Sequence, residues 1–361
     1  MGRGYRLAIT TPVPRTLFPN DLIMPPSRPS AHDSVMRRLV PAAGVLLVLV
    51  LSAPAAALLV PARTVRTPAA VSAISVTGRA VAYAVGRTRA NCGSVRLWNT
   101  ASRRTWTFGT RTIVGCQESP SGGFGIPSVS VAGQRVFWLT RIGGNSTDWQ
   151  LWTATPTRPT ARRLVFASAG TDGPPPVVLG RGTRDGVPYA VGRTVTFVGP
   201  TGVRRFRTSL GAPVRLLTAG TGPDAARVLA SLADGHVVLL SKTGAVLRTD
   251  DYGTQELKAI ALGAPGPVVQ TGTTVTIGPA AAGESVTLPA GATLLEYRRG
   301  QIVYRHRSQV RARAAATGED TLLLMIPVPS WQTIPFSTDT GGSAWAHGPR
   351  VSWRPGPVAQ H

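Results

Sequence analysis

One short phrase recurs along this chain after residue 70 and limits what the chain can fold into. It runs glycine, two residues, valine, one residue, then usually a large apolar residue. Gly78, Val81 and Tyr83 carry it first, then Gly133, Val136 and Trp138, then Gly192, Val195 and Phe197. It returns with Gly235, Val238 and Leu240, with Gly272, Val275 and Ile277, and with Gly348, Val351 and Trp353. A degenerate copy at Gly300, Val303 and Arg305 is shifted by one residue. The alternation after each glycine predicts a strand with one buried face, and the glycine supplies the positive φ of a tight turn.

The phrases fall at different turns of a larger unit. Aligning the first strand of each unit instead gives starts near Ile74, Val129, Pro176, Val214, Leu257, Ala292 and Trp331. Those spacings bracket the roughly 40–45 residues of a four-stranded propeller blade. The seventh unit runs out after three strands at Arg354, and the stretch from Val60 to Ala70 is available to supply the missing one. The expected fold is therefore all-β: a single β-propeller over residues 60–355 with seven four-stranded blades, six or eight being the alternative counts. A twin β-sandwich is the runner-up, but it would not need seven similar units. Forty glycines and 31 prolines, with only 15% charged residues, suit many short strands joined by turns.

Ahead of the repeats lies an export signal that begins at Met36. Arg37 and Arg38 form a basic head, Leu39 to Ser52 an apolar run, and Ala55, Ala56 and Ala57 a small-residue cleavage site. Residues 1–35 are Pro-rich and unpatterned, and read as a disordered extension or as a start codon assigned too early. Residues 36–57 are then a signal peptide. The alternative is a signal anchor to about residue 60, because Leu39 to Val60 is long enough to span a bilayer. Either way the basic head stays inside and the repeats face outward. Residues 356–361 read as a flexible tail.

The formal net charge is +23, and only Lys242 and Lys258 among 39 basic residues are lysines. Codon bias in a GC-rich genome favours arginine over lysine without any function, and is the simpler explanation. It leaves open why only 16 acids oppose the arginines, so an anionic polymer stands among the candidate partners. Nucleic acid is disfavoured in an exported chain with no reading helix. Cys92 and Cys116, in an oxidising compartment, are expected to form one disulfide. Their connections emerge on the same face of a four-stranded antiparallel blade.

The motifs of known chemistry are missing: no G-x-S-x-G elbow, no H-E-x-x-H, no P-loop and no C-x-x-C. The five histidines show no metal-ligand spacing, and most acids sit in Gly-rich turns, where Asp stabilises the turn itself. No catalytic residue, metal site or cofactor is assigned. Asp250 and Asp251 read as a solvated turn before they read as a cation site.

The segment Val95-Arg96-Leu97-Trp98-Asn99-Thr100 resembles the strand that ends a WD-type repeat, with Asn99 where that family usually has Asp. Leu151-Trp152-Thr153 is a weaker echo. Residues 65–355 thus resemble the looser WD-like or TolB-like propellers of secreted bacterial proteins, a resemblance that implies a fold and an interaction role. The stretch from Ser337 to Trp345 is similar to the Asp-box hairpin of sialidase-type propellers, with one extra residue before Trp345; an ordinary polar turn is the plainer reading.

The expected function is a non-catalytic interaction or ligand-binding module at the cell envelope. A lyase or glycoside-processing enzyme with a site in the axial funnel is the alternative. The candidate partners are an envelope protein, an anionic polymer or a small ligand, met by a monomeric chain. Loops 86–94, 110–127 and 141–149 are the longest in the array and share one face. They carry Arg111, Phe124, Arg141, Asp148 and Trp149, an aromatic and charged mixture suited to recognition.

Overall fold

A computed structural model describes residues 61–85, 94–109, 124–143, 146–170, 174–221, 224–253, 255–327 and 334–356. The export segment, both cysteines and Arg111 lie outside these ranges.

Strand β1 (Arg63–Arg66) precedes the first full sheet of β2 (Val71–Thr77), β3 (Ala80–Val85), β4 (Val95–Asn99) and β5 (Thr105–Phe108). Blade 2 holds β6 (Phe124–Ala132), β7 (Arg135–Ile142), β8 (Ser146–Thr155) and β9 (Arg158–Gly170). Blade 3 holds β10 (Val177–Leu179), β11 (Val187–Val191), β12 (Thr194–Val198) and β13 (Arg204–Ser209). Blade 4 holds β14 (Val214–Ala219), β15 (Val228–Leu232), β16 (His236–Leu240) and β17 (Val246–Asp251). Blade 5 holds β18 (Leu257–Gly263), β19 (Gly266–Thr271), β20 (Thr274–Ile277) and β21 (Glu284–Thr287). Blade 6 holds β22 (Thr293–Arg298), β23 (Gln301–His306), β24 (Gln309–Ala314) and β25 (Asp320–Met325). Blade 7 holds β26 (Phe336–Asp339), β27 (Gly342–His347) and β28 (Arg350–Pro355), and β1 completes it as a fourth strand.

Every sheet has four strands in antiparallel order. The first strands contact one another in sequence, β2 with β6, β6 with β10, and so on to β26, which returns to β2. That cycle makes a closed seven-bladed propeller with the first strands around its axis, as the repeat predicts. Closure is by β1 on β28, with Arg63 opposite Trp353 and Val65 opposite Val351.

The inner strands differ from the sequence expectation in one respect. They are buried on both faces, not one, because a blade is packed between two others. In β3, Ala82 and Ala84 point to blade 2 while Val81, Tyr83 and Val85 point to blade 7. In β7, Val136 and Trp138 face blade 1 while Phe137 and Leu139 face blade 3. In β15, Val228 and Ala230 face blade 3 and Leu229 faces blade 5. Each core cluster is one blade–blade interface, and the strand period of two divides the side chains between neighbours. The fourth strands carry the exposed large apolar groups, among them Phe166, Val246, Leu247, Leu322 and Met325.

All seven phrase glycines have positive φ. In five of them, at Gly78, Gly133, Gly192, Gly272 and Gly348, φ is 54–58° and the glycine opens a two-residue hairpin. That is the type II′ arrangement, whose twist matches the strands it joins.

Candidate functional site

The strand register gathers four of the five predicted site residues at one end of blade 2. Phe124, at the start of β6, lies opposite Ile142 on β7, which lies opposite Asp148 on β8. In the next row Arg141 lies opposite Trp149. The Arg141 guanidinium sits 5.9 Å from the centre of the Trp149 ring, a cation–π contact worth about 0.5–1 kcal/mol at an exposed site. Asp148 accepts a hydrogen bond from Ser168 Oγ on β9 at 2.5 Å. Arg141 is exposed, whereas Trp149 is half-buried and packs on the cluster between blades 2 and 3. One side of the indole therefore anchors the hairpin and the other carries the guanidinium.

The stretch 141–149 is not the long loop expected from sequence. Strand β7 continues to Ile142 and β8 begins at Ser146, leaving residues 143–145 as the connection. Apolar and β-branched residues at 137–142 and 147–152 keep the ladder intact as far as Ile142 and Asp148. Most of the other two loops, 86–93 and 110–123, lies outside the described residues.

At the axis the structure holds an arginine that sequence reading passed over. Arg181 follows β10 in blade 3 and reaches the first strands of blades 6 and 7, the two opposite it in a ring of seven. It donates to the carbonyl oxygen of Leu295 at 2.9 Å and to that of Thr338, and its Nη2 lies 3.4 Å from Glu296 Oε2. Glu296 is almost wholly buried, and its other carboxylate oxygen has no partner among the described residues. The signal was the Gly180-Arg181-Gly182 triplet. A Cβ at Gly180 would meet Leu217 O at 2.8 Å, and one at Gly182 would meet Val131 O at 2.4 Å. Both glycines let the backbone press against the first strands of blades 4 and 2.

The other acids behave as turn and strand stabilisers. Asp224 pairs with Arg227, Asp250 with Arg248, and Asp251 accepts from the backbone N–H of Gly253. Asp339 accepts from the backbone N–H groups of Gly341 and Gly342, both at 2.9 Å, and from that of Gly78 in blade 1. The Asp-box-like segment is thus a turn that also ties blade 7 to blade 1. Among the described residues no three His, Cys, Asp or Glu side chains gather as metal ligands. The WD-like tryptophan Trp98 is buried on the third strand of blade 1, and Trp152 occupies the third strand of blade 2. Asn99 caps the turn after Trp98, accepting from the N–H groups of Ala101 and Ser102.

No protein-family model matches the chain, and no curated protein matches it. Among solved structures, a chain in the crystal structure of the mitotic checkpoint complex is similar, with a TM-score of 0.52 and 14% identity. The match covers 94% of this chain and 99% of that one. The crystal structure of Saccharomyces cerevisiae Sqt1 is similar at a TM-score of 0.45 and 12% identity, over 81% of this chain and 97% of that one. At this level of identity the likeness is one of fold, a seven-bladed propeller.

Proposed function

We propose that the chain is an exported, non-catalytic propeller of the TolB-like, secreted bacterial kind, which captures a partner at the cell envelope through the exposed end of blade 2. The observation that carries this reading is the Arg141–Trp149 pair on the blade 3 face of blade 2, with Phe124 at the same end of the sheet and Asp148 in the next row, on the face toward blade 1. A guanidinium stacked on an anchored indole has the composition of a binding hot spot held on rigid strands. Arg111 and the Cys92–Cys116 bridge belong to the same proposal, the bridge holding the neighbouring loops. Cleavage after Ala57 leaves a free propeller; retention of residues 39–60 anchors it with the repeats outside.

The enzyme alternative calls for side chains converging in the axial funnel. There Arg181 is tied to the carbonyls of Leu295 and Thr338 and to Glu296, an arrangement that links blade 3 to blades 6 and 7, so the axis favours the binding reading.

The test compares wild-type exported domain with an Arg141→Ala, Trp149→Ala double variant as bait in envelope extract. Circular dichroism verifies that the variant is folded. Capture is expected to fall by about tenfold or more, the loss of a stacked aromatic–arginine anchor. Undiminished capture by the folded variant moves the site elsewhere.

A further inference from the structure

A second site lies at the opposite end of the same strands. Between blades 2 and 3 the surface opens into a cleft of about 350 Å³, lined by Arg135, Arg162 and Arg204 with no acid among its lining residues. Arg135, at the start of β7, forms the floor. It donates through Nε to Pro200 O at 3.1 Å and through Nη2 to Thr201 O at 2.8 Å, and its Nη1 lies 3.5 Å from Thr153 Oγ1. The turn it holds depends on Gly202, where φ is +90° and a Cβ would stand 2.7 Å from Arg135 Cζ. All its described partners are neutral oxygens.

Arg162, opposite Thr153 on β9, and Arg204, at the start of β13, are exposed on the rim. Neither has an ion-pair partner among the described residues. Burial lowers the Arg135 pKa, and repulsion from Arg162 and Arg158 lowers it further. Arginine stays protonated under such a shift, so the cleft holds repelling charges that nothing inside it neutralises. Codon bias accounts for many arginines; it does not account for three around one cavity with a half-buried member.

We propose that the cleft between blades 2 and 3 binds a phosphate ester, the phosphoryl group on Arg162 and Arg204 above the Arg135 floor. Three guanidinium groups match an anion with three terminal oxygens and two charges better than a carboxylate with two oxygens and one. Half-buried Leu164 and Tyr189, backed by the buried Phe137 and Val198, add a partly apolar surface against which the ester's organic body packs. The volume admits a body of about the size of one sugar ring beside the phosphoryl group.

Isothermal titration in low-salt, phosphate-free buffer tests this on the full exported domain, with glucose 1-phosphate, glucuronate and glucose as probes. Arg135 is left intact because it holds the 199–203 turn. Glucose 1-phosphate is expected to bind about tenfold or more tightly than glucuronate, and glucose not to bind. An Arg162→Gln, Arg204→Gln variant should lose about tenfold or more in affinity for the phosphate, and an Arg66→Gln, Arg350→Gln variant of equal net charge should lose none. Equal loss in both variants would assign the binding to overall charge and overturn the site. Glucuronate binding as tightly as the phosphate would overturn the ligand class, and absence of binding would overturn both. The Arg141, Trp149 variant should bind the phosphate normally, so failure at either end of blade 2 is distinguishable from failure at the other.

Discussion

At Gly300 the two central residues of the hairpin exchange roles. Gly300 takes the second position, with φ of 76°, and Arg299 the first, with φ of 49°. Both central residues then have positive φ, as a type I′ turn requires, and the one-residue shift of this copy is a change of turn type. An L-residue other than Gly, Asn or Asp bears a cost of roughly 1–2 kcal/mol in that conformation. Arg299→Asn is therefore expected to raise unfolding stability by about 0.5–1 kcal/mol, read as an increased urea midpoint at unchanged slope. An unchanged or lower midpoint would mean that Arg299 makes a compensating contact. The phrase glycines were legible because a hairpin turn is a local problem with a local solution. Arg181 was not, since its partners Leu295, Glu296 and Thr338 lie more than 100 positions away and carry no shared local pattern.

Strands pose the same contrast one level up. The sequence pattern located β2, β6, β10, β14, β18 and β22 closely, because apolar runs and Gly or Pro breaks are written within each unit. It underestimated the burial of the second strands β3, β7 and β15, which comes from the neighbouring blades. Gln270 shows how a single element can depend on the next. It lies in the second strand of blade 5, in the run Pro267-Val-Val-Gln270, and is fully buried. Its amide donates to the carbonyls of Gly272 and Ala292, both at 2.9 Å, and its oxygen accepts from the N–H of Leu294 at 2.7 Å. The first strand of blade 6 is thus held in register by a side chain of blade 5. Gln270→Ala should destabilise by about 1–3 kcal/mol, because it leaves the Leu294 N–H buried without a partner, while the Ala292 carbonyl keeps its bond from Lys258 Nζ. Hydrogen exchange should accelerate at Leu294 before it does in blade 2; uniform acceleration would contradict a local tie. No local pattern announces this role, because the groups Gln270 meets at Ala292 and Leu294 belong to the next blade.

For the molecule as a whole, the closing strand carries the largest testable claim. Removing residues up to Ala69 leaves β28 as an exposed edge with unpaired N–H and C=O groups, and strips the cover from Val351 and Trp353. The truncated chain is expected to unfold at a lower temperature and to associate with itself through that edge, monitored by calorimetry and light scattering. A monomeric truncation with an unchanged midpoint would show that three strands suffice for blade 7. Ring closure was legible because the last unit came up one strand short and a spare stretch lay near the start. The candidate site was legible only in part: its residues stood out by type, whereas the ladder that sets Arg141 beside Trp149 occupies a stretch read as a loop, and the arginine cleft needs two blades placed side by side. The β1–β28 pairing also has a consequence in time. A chain that crosses a membrane with its amino end leading delivers β1 first and β28 last, so the earliest segment to arrive is the last to find its place. Blades 1 to 6 can assemble as they emerge, but the seventh waits for the final residues, and until then the ring stands open with β1 unpaired. Under the proposed export, folding is gated by completion of that passage, and a chain stalled near residue 340 would hold β1 without β28, the strand it pairs with.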